Sequence, residues 1–141
     1  VVDYLEWLGS NVTESVDKRT RFIAAGAAIH AHETRLTDSM INGLGNLPGL
    51  VEMDKVKIIG GVDNPAREGL VSLVVDGLNS ADVVKKLNEQ GIRTHLRKAD
   101  HYSGHLLDPL GLDGCVRVSM CHYNSEHEVA QFLAAMKTIA A

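Results

Sequence analysis

The residues with the clearest capacity for chemistry gather in one stretch, Gly114-Cys115-Val116-Arg117-Val118-Ser119-Met120-Cys121-His122-Tyr123-Asn124-Ser125-Glu126-His127-Glu128. Cys115 to Met120 alternates small and β-branched residues, the pattern of a half-buried strand, and carries one permanent cation, Arg117, at its middle. A guanidinium taken out of water without a counter-charge is expensive, with penalties of several kcal/mol. Arg117 therefore needs either an internal carboxylate or an anionic ligand, and pattern alone leaves both open. If the partner is a ligand, the chemistry is recognition of a planar oxyanion by a rigid, bidentate fork.

Other residues invite metal or phosphate chemistry and fit it less well. His101 and His105 have the i, i+4 spacing of a helical zinc pair, but Gly104 between them and the surrounding loop composition argue against a helix, and no third ligand is near. His30-Ala31-His32-Glu33 places its histidines two apart, on different helix faces, and reads as a surface cluster. Gly60-Gly61 is too short for a phosphate loop. Arg97-Lys98 reads as solvated or paired with Asp100. Cys115 and Cys121 on one extended strand would sit roughly 20 Å apart at ~3.3 Å per residue, too far for a disulfide. They read as small apolar residues in a reducing, cytoplasmic setting.

The elements that must position these groups follow from periodicity. Val1 to Leu8 reads as a short amphipathic helix stopped by Gly9. A longer helix is expected from Thr13-Glu14-Ser15 to the Gly43-Leu44-Gly45-Asn46 stop, with Phe22, Ala25, Ile29, Leu36, Met40 and Leu44 on one stripe. At about thirty residues it exceeds the globular mean of about a dozen, as a helix bridging two bodies would. Leu47-Pro48-Gly49 is a turn, Leu50 to Ile59 holds one or two strands, and Leu70 to Val75 is a central strand. Ser80 caps a helix ending at Gly91, Ile92 to His95 is a short strand, and Leu96 to Gly114 is a long loop of the length that often serves function. After the Arg117 strand, Ser125 and Glu128 form a capping box for a last helix bearing Val129, Phe132, Leu133, Met136 and Ile139. The order predicts an α+β fold: a small, mostly antiparallel sheet with helices on one face, preceded by a long connecting helix.

Composition bounds the function. With 141 residues, net charge -4 and pI near 5.9, the chain has no basic stripe, so no nucleic-acid or anionic-membrane partner is expected. No run has the apolar length of a membrane span. The opening Val1-Val2-Asp3-Tyr4-Leu5-Glu6-Trp7-Leu8 reads as a chain entered mid-helix, and the expectation is a piece of something longer.

The segment Gly91-Ile92-Arg93-Thr94, the loop after it, and Cys115 to Ser125 together resemble the C-terminal domain of class V aminotransferase-like pyridoxal-phosphate enzymes. The resemblance is to the branch of cysteine desulfurases and selenocysteine lyases. Arg117-Val118-Ser119 followed by Tyr123-Asn124 carries most of it. Asp63-Asn64-Pro65-Ala66-Arg67-Glu68-Gly69 and the early Val2-Asp3-Tyr4-Leu5 helix agree, so the likeness covers essentially the whole chain.

The resemblance implies the small domain of a fold type I pyridoxal-phosphate transferase. Residues 1–45 would be connecting helices leading out of a large domain, and 46–141 the small α+β domain. It implies a homodimer acting on an amino acid, with Arg117 gripping the substrate carboxylate and His101, Tyr102 and Ser103 on an active-site loop. In desulfurases that loop carries the sulfur-accepting cysteine. Here the matching loop is Lys98-Ala99-Asp100-His101-Tyr102-Ser103-Gly104-His105, somewhat long, and the thiol position falls near Tyr102 or Ser103.

The Schiff-base lysine would lie in the large domain. None of Lys18, Lys55, Lys57, Lys85, Lys86, Lys98 or Lys137 has its sequence setting, so this stretch alone is expected to be inactive. Two rivals stand beside this reading: a non-catalytic α+β dimerisation module, and an amino-acid-binding module that uses Arg117 without turnover. The N-terminal helices separate a module from a domain, because a bare apolar flank on Val1 to Leu44 calls for another body.

Overall fold

The computed structural model describes residues 1–141. Its elements in chain order are α1 (Val2–Ser10), α2 (Lys18–Asn42), β1 (Gly43–Leu44), β2 (Leu47–Pro48), β3 (Val56–Ile59), β4 (Leu70–Val75), α3 (Ser80–Glu89), β5 (His95–Lys98), α4 (Gly104–Leu107), β6 (Gly114–Ser119) and α5 (Glu126–Ile139). Single 3-10 turns lie at Leu50–Glu52 and Asp108–Leu110. The expected α+β architecture is what forms. β3, β4, β6 and β5 make one antiparallel sheet in that spatial order, and β1 pairs with β2 in a separate hairpin.

Leu70–Val75 is an inner strand, as its apolar run predicts, and the two-residue alternation of a strand sorts its side chains between faces. Val71, Leu73 and Val75 are buried under the helices, and Leu70, Ser72 and Val74 are half-buried on the other side. Val116 and Val118 of β6 oppose Leu73 and Val71, so they join the same core. Leu36, Met40 and Ile41 of α2, Val83 and Leu87 of α3, and Phe132, Leu133 and Met136 of α5 complete it. On the opposite face Ser72, Arg117 and His95 stand in one row, with Arg97 beside Cys115 in the next. No long helix covers that face.

Several boundaries differ from the sequence reading, each for a local reason. The long helix starts at Lys18, not at Thr13, and spans 25 residues. Thr13 accepts the Ser15 N–H and Ser15 accepts the Asp17 N–H through their hydroxyls, so both side chains hold non-helical turns. Asp17 is the cap, accepting the Thr20 N–H at 2.8 Å. At the other end Gly43 adopts φ 105° and turns the chain into the β1–β2 hairpin. Asn79, not Ser80, caps α3 through its side-chain oxygen to the Ala81 N–H at 2.8 Å. Leu50–Glu52 is a 3-10 turn, leaving only Val56–Ile59 as strand in that region. The strand expected at Ile92 to His95 instead runs His95–Lys98, and the expected long loop contains α4 and a 3-10 turn.

The capping box opening α5 forms as read: the Ser125 N–H donates to Glu128 at 2.8 Å. That bond, with support from Asn124 and the Ser125 hydroxyl, holds the Glu128 carboxyl below its usual range. His32 is not a free surface histidine. Its Nε2–H donates to the Asn124 carbonyl at 2.8 Å while Nδ1 accepts from Arg35, tying α2 to the turn after β6. Neighbouring His30 faces Glu68 at 3.4 Å.

α1 folds back on the N-terminal half of α2, an arm that extends past the core. Its closest approach is at Gly9, where an added Cβ would lie 2.1 Å from the Arg21 carbonyl oxygen. Gly9→Ala should push α1 off α2, lowering stability by about 1–3 kcal/mol as overpacking does. Gly26→Ala, in mid-helix with nothing within 4 Å of a new Cβ, should raise it by about 0.5–1 kcal/mol. Thermal denaturation of the two variants checks both signs.

Candidate functional site

Arg117 sits at the middle of β6, flanked by Ser72 on β4 and His95 on β5, with its side chain on the face away from the helices. Its Nε is buried and has no hydrogen-bond partner. The ion pairs of the structure link Glu6 with Lys18 and Arg21, and join His30 to Glu68, Arg35 to Glu126 and Lys57 to Asp76; none involves Arg117. The internal carboxylate that would give Arg117 a purely structural role is not there.

Arg117 instead lines a cavity of about 300 Å³ between the sheet and the loop after β5. The floor is Ile59, Ser72, Cys115, Arg97 and Arg117; the wall is Tyr102, Ser103, Leu106 and Leu107. Among these residues are two guanidinium groups and no carboxylate. Larger hollows exist, including one of about 440 Å³ beside Asp76, Asn79 and Asp113. Its lining mixes the acids Asp76 and Asp113 with Lys98, whereas the charged residues lining the Arg117 cavity are all cations, so size is a poor guide here and electrostatics the better one.

The loop is held in place by Asp100, whose carboxylate accepts the backbone N–H groups of Tyr102 at 3.0 Å and Ser103 at 2.9 Å. These bonds, Ser103 first, hold the Asp100 carboxyl below its ordinary range, with a smaller contribution from the Arg97 charge. Leu107 is buried beneath the loop, while Tyr102 is exposed at the cavity rim. Cys115 lies on the floor, 3% exposed. Burial pushes its thiol upward, opposed by a hydrogen bond with Ser72 and by the charges of Arg97 and Arg117.

Of the residues expected at the site, Arg117, Tyr102 and Ser103 line this one cavity, and His101 does not. The His101 ring packs on Tyr102 with centroids 4.1 Å apart, and the side chain is exposed. His105 is exposed as well, outside the cavity. Nowhere do three or more His, Cys, Asp or Glu side chains gather as metal ligands would. Two residues were missed. Arg97, read as solvated or paired with Asp100, is half-buried on the cavity floor and forms no ion pair. Cys115, read as a small apolar residue, lies between the two arginines. The signal was strand register: once β5 runs His95–Lys98, Arg97 pairs with Cys115 and must share the face of Arg117. Both cysteines are free, and Cys121 lies past the end of β6.

An antiparallel sheet with helices packed on one face is the small-domain architecture of fold type I pyridoxal-phosphate enzymes. Residues 20–132 match the family model described as aminotransferase class-V, and the chain belongs to that family. It is 35% identical over 109 residues to a probable cysteine desulfurase of Pseudomonas putida, a match covering 77% of this chain and 24% of that protein. It is 32% identical over 111 residues to a probable cysteine desulfurase of Vibrio cholerae, covering 78% and 24%. Among solved structures it resembles an apo cysteine desulfurase from Thermococcus onnurineus, with TM-score 0.69 and 28% identity over 87% of this chain and 31% of that one. The chain therefore spans about a quarter of the length of these curated relatives.

The Asp100 contacts set an acid limit on the loop. Because its folded pKa is depressed, its stabilising effect is complete above the ordinary aspartate range and is lost as pH falls through the lower folded value. Amide hydrogen exchange at Tyr102 and Ser103 should accelerate across that window beyond the intrinsic pH effect. In Asp100→Ala it should be fast already at neutral pH, with no acid transition.

Proposed function

We propose that this chain is the small C-terminal domain of a homodimeric, cytoplasmic, pyridoxal-phosphate-dependent enzyme acting on an amino acid, with desulfurase-like or aminotransferase-like chemistry. Arg117 grips the substrate carboxylate and the Asp100–Leu107 segment covers it. One observation carries this reading: a guanidinium on an inner strand, its Nε buried and unpartnered, faces a cavity without acids. A carboxylate placed there accepts two parallel N–H bonds from a group that is always charged.

The cofactor itself does not fit on this chain. No lysine lines the Arg117 cavity, and Lys98, on β5, faces a different hollow beside Asn79 and Asp113. Pyridoxal phosphate would supply an electron sink for the bonds at the substrate's α-carbon, and its anchoring lysine belongs to the rest of the protein. This chain's residues orient the substrate and restrict water. Arg117 fixes one end, Leu106 and Leu107 provide an apolar wall, and Ser72 on the floor and Ser103 in the wall offer hydroxyls.

The N-terminal arm supports a partner body over a free-standing module. Val2, Tyr4, Trp7, Val12, Val16 and Ile23 are all exposed, with Trp7 60% and Val16 88% accessible. That many exposed apolar side chains on one short arm support a surface for another body. We assign residues 1–45 to the connection toward a large domain and 46–141 to the small domain. Desulfurase chemistry by a loop thiol lacks its nucleophile here, since Tyr102 and Ser103 stand where the resemblance expects cysteine. Cys115 beneath them is buried with its thiol pushed up, the opposite of an activated thiolate.

In the full-length protein, Arg117→Ala should raise the KM for the amino-acid substrate about 10- to 100-fold, the worth of a charge-assisted bidentate contact. Arg117→Lys should recover part of that loss. Steady-state kinetics checks it, with circular dichroism to confirm the fold. An unchanged KM for every carboxylate substrate contradicts the role.

A further inference from the structure

We infer that the Arg117 cavity is built for a ligand with two anionic groups, an amino acid whose side chain also ends in an acid. This rests on the reading of Arg117 as the α-carboxylate grip and narrows its substrate class. Arg97 is the second grip.

The argument begins with register. Arg97 pairs with Cys115, two residues from Arg117 on the same face of β6. The two arginines are thus diagonal neighbours on adjacent strands, with backbones about 7–8 Å apart. Both line the same cavity, and both charges act on the Cys115 thiol between them. Neither forms an ion pair, although the chain carries eighteen acids against fourteen lysines and arginines. Asp100 feels the Arg97 charge but directs its carboxylate at the Tyr102 and Ser103 amides.

Two guanidinium groups cannot relieve their mutual repulsion by losing a proton, because arginine stays charged in proteins. Sharing a partly desolvated cavity with no acid in its lining, they favour an occupant of charge -2 over one of charge -1. One carboxylate saturates one guanidinium fork and leaves the other open. The loop supplies no competing chemistry for a thiol side chain, since Tyr102 and Ser103 take the positions above the floor.

The test compares two isosteres that differ in side-chain charge, L-aspartate and L-asparagine, titrated calorimetrically into the full-length, cofactor-loaded protein and its Arg97→Gln and Arg117→Ala variants. Aspartate should bind about 10- to 100-fold tighter than asparagine, the worth of one charge-assisted pair. That advantage should shrink as salt rises. Arg97→Gln should bring aspartate down to the level of asparagine, and Arg117→Ala should weaken both. Equal binding of the two amino acids overturns the inference and leaves the Arg117 reading standing. Both guanidinium groups would then share one carboxylate, and Arg97→Gln would weaken the two ligands alike. Failure of aspartate to bind overturns this inference, and binding insensitive to Arg117→Ala overturns the underlying reading and this inference with it.

Discussion

A permanent positive charge on an inner strand, with no negative charge of its own chain to meet it, is the constraint on which this structure turns. Arg117 cannot shed its proton, and its Nε is already out of water. The surrounding elements keep that charge available. The sheet commits its other face to α2, α3 and α5, whose side chains bury Val116 and Val118 on either side of Arg117 in sequence. Alternation along β6 then leaves Arg117 no choice of direction. Asp100 feels the Arg97 charge, yet the Tyr102 and Ser103 amides hold its carboxylate. An acid that feels the Arg97 charge is used to pin the wall of the site.

The molecule thus presents two incomplete surfaces with different needs. One is electrostatic, the acid-free cavity under the loop; the other is the set of exposed apolar side chains on the N-terminal arm, Val2, Tyr4, Trp7, Val12, Val16 and Ile23. The chain spans about a quarter of the length of its curated relatives. The close backbone approach at Gly9 and the Glu6 contacts with Lys18 at 2.8 Å and Arg21 at 4.0 Å hold the arm's two helices together. Its exposed Trp7 and Val16 remain free for another body.

Much of the fold was legible because its signals are local. The apolar run Leu70–Val75 could only be a covered strand, and Ser125 with Glu128 announced α5 to the residue. Arg117 was legible because a lone charge inside a β-branched strand is anomalous. What failed was register and side-chain capping. Hydroxyls at Thr13 and Ser15 suggested a helix start, but they satisfied nearby amides in a turn and ceded the cap to Asp17. In the β5 region, Ile92 supports the core from just before the strand, and its apolar character drew the predicted strand three residues too early. That shift moved Arg97 from the sheet into a loop and hid the second cation. Pairing between distant strands is set by packing across the sheet, which one-dimensional periodicity does not contain.

The most direct test of the central claim is a crystal structure of the full-length protein with an unreactive amino-acid analogue bound. The account predicts the ligand α-carboxylate within hydrogen-bond distance of the Arg117 guanidinium, at about 2.7–2.9 Å for such charged pairs, beneath the Tyr102–Leu107 wall. A guanidinium paired instead with an acid from elsewhere in the protein, and a ligand carboxylate held by other groups, would contradict it.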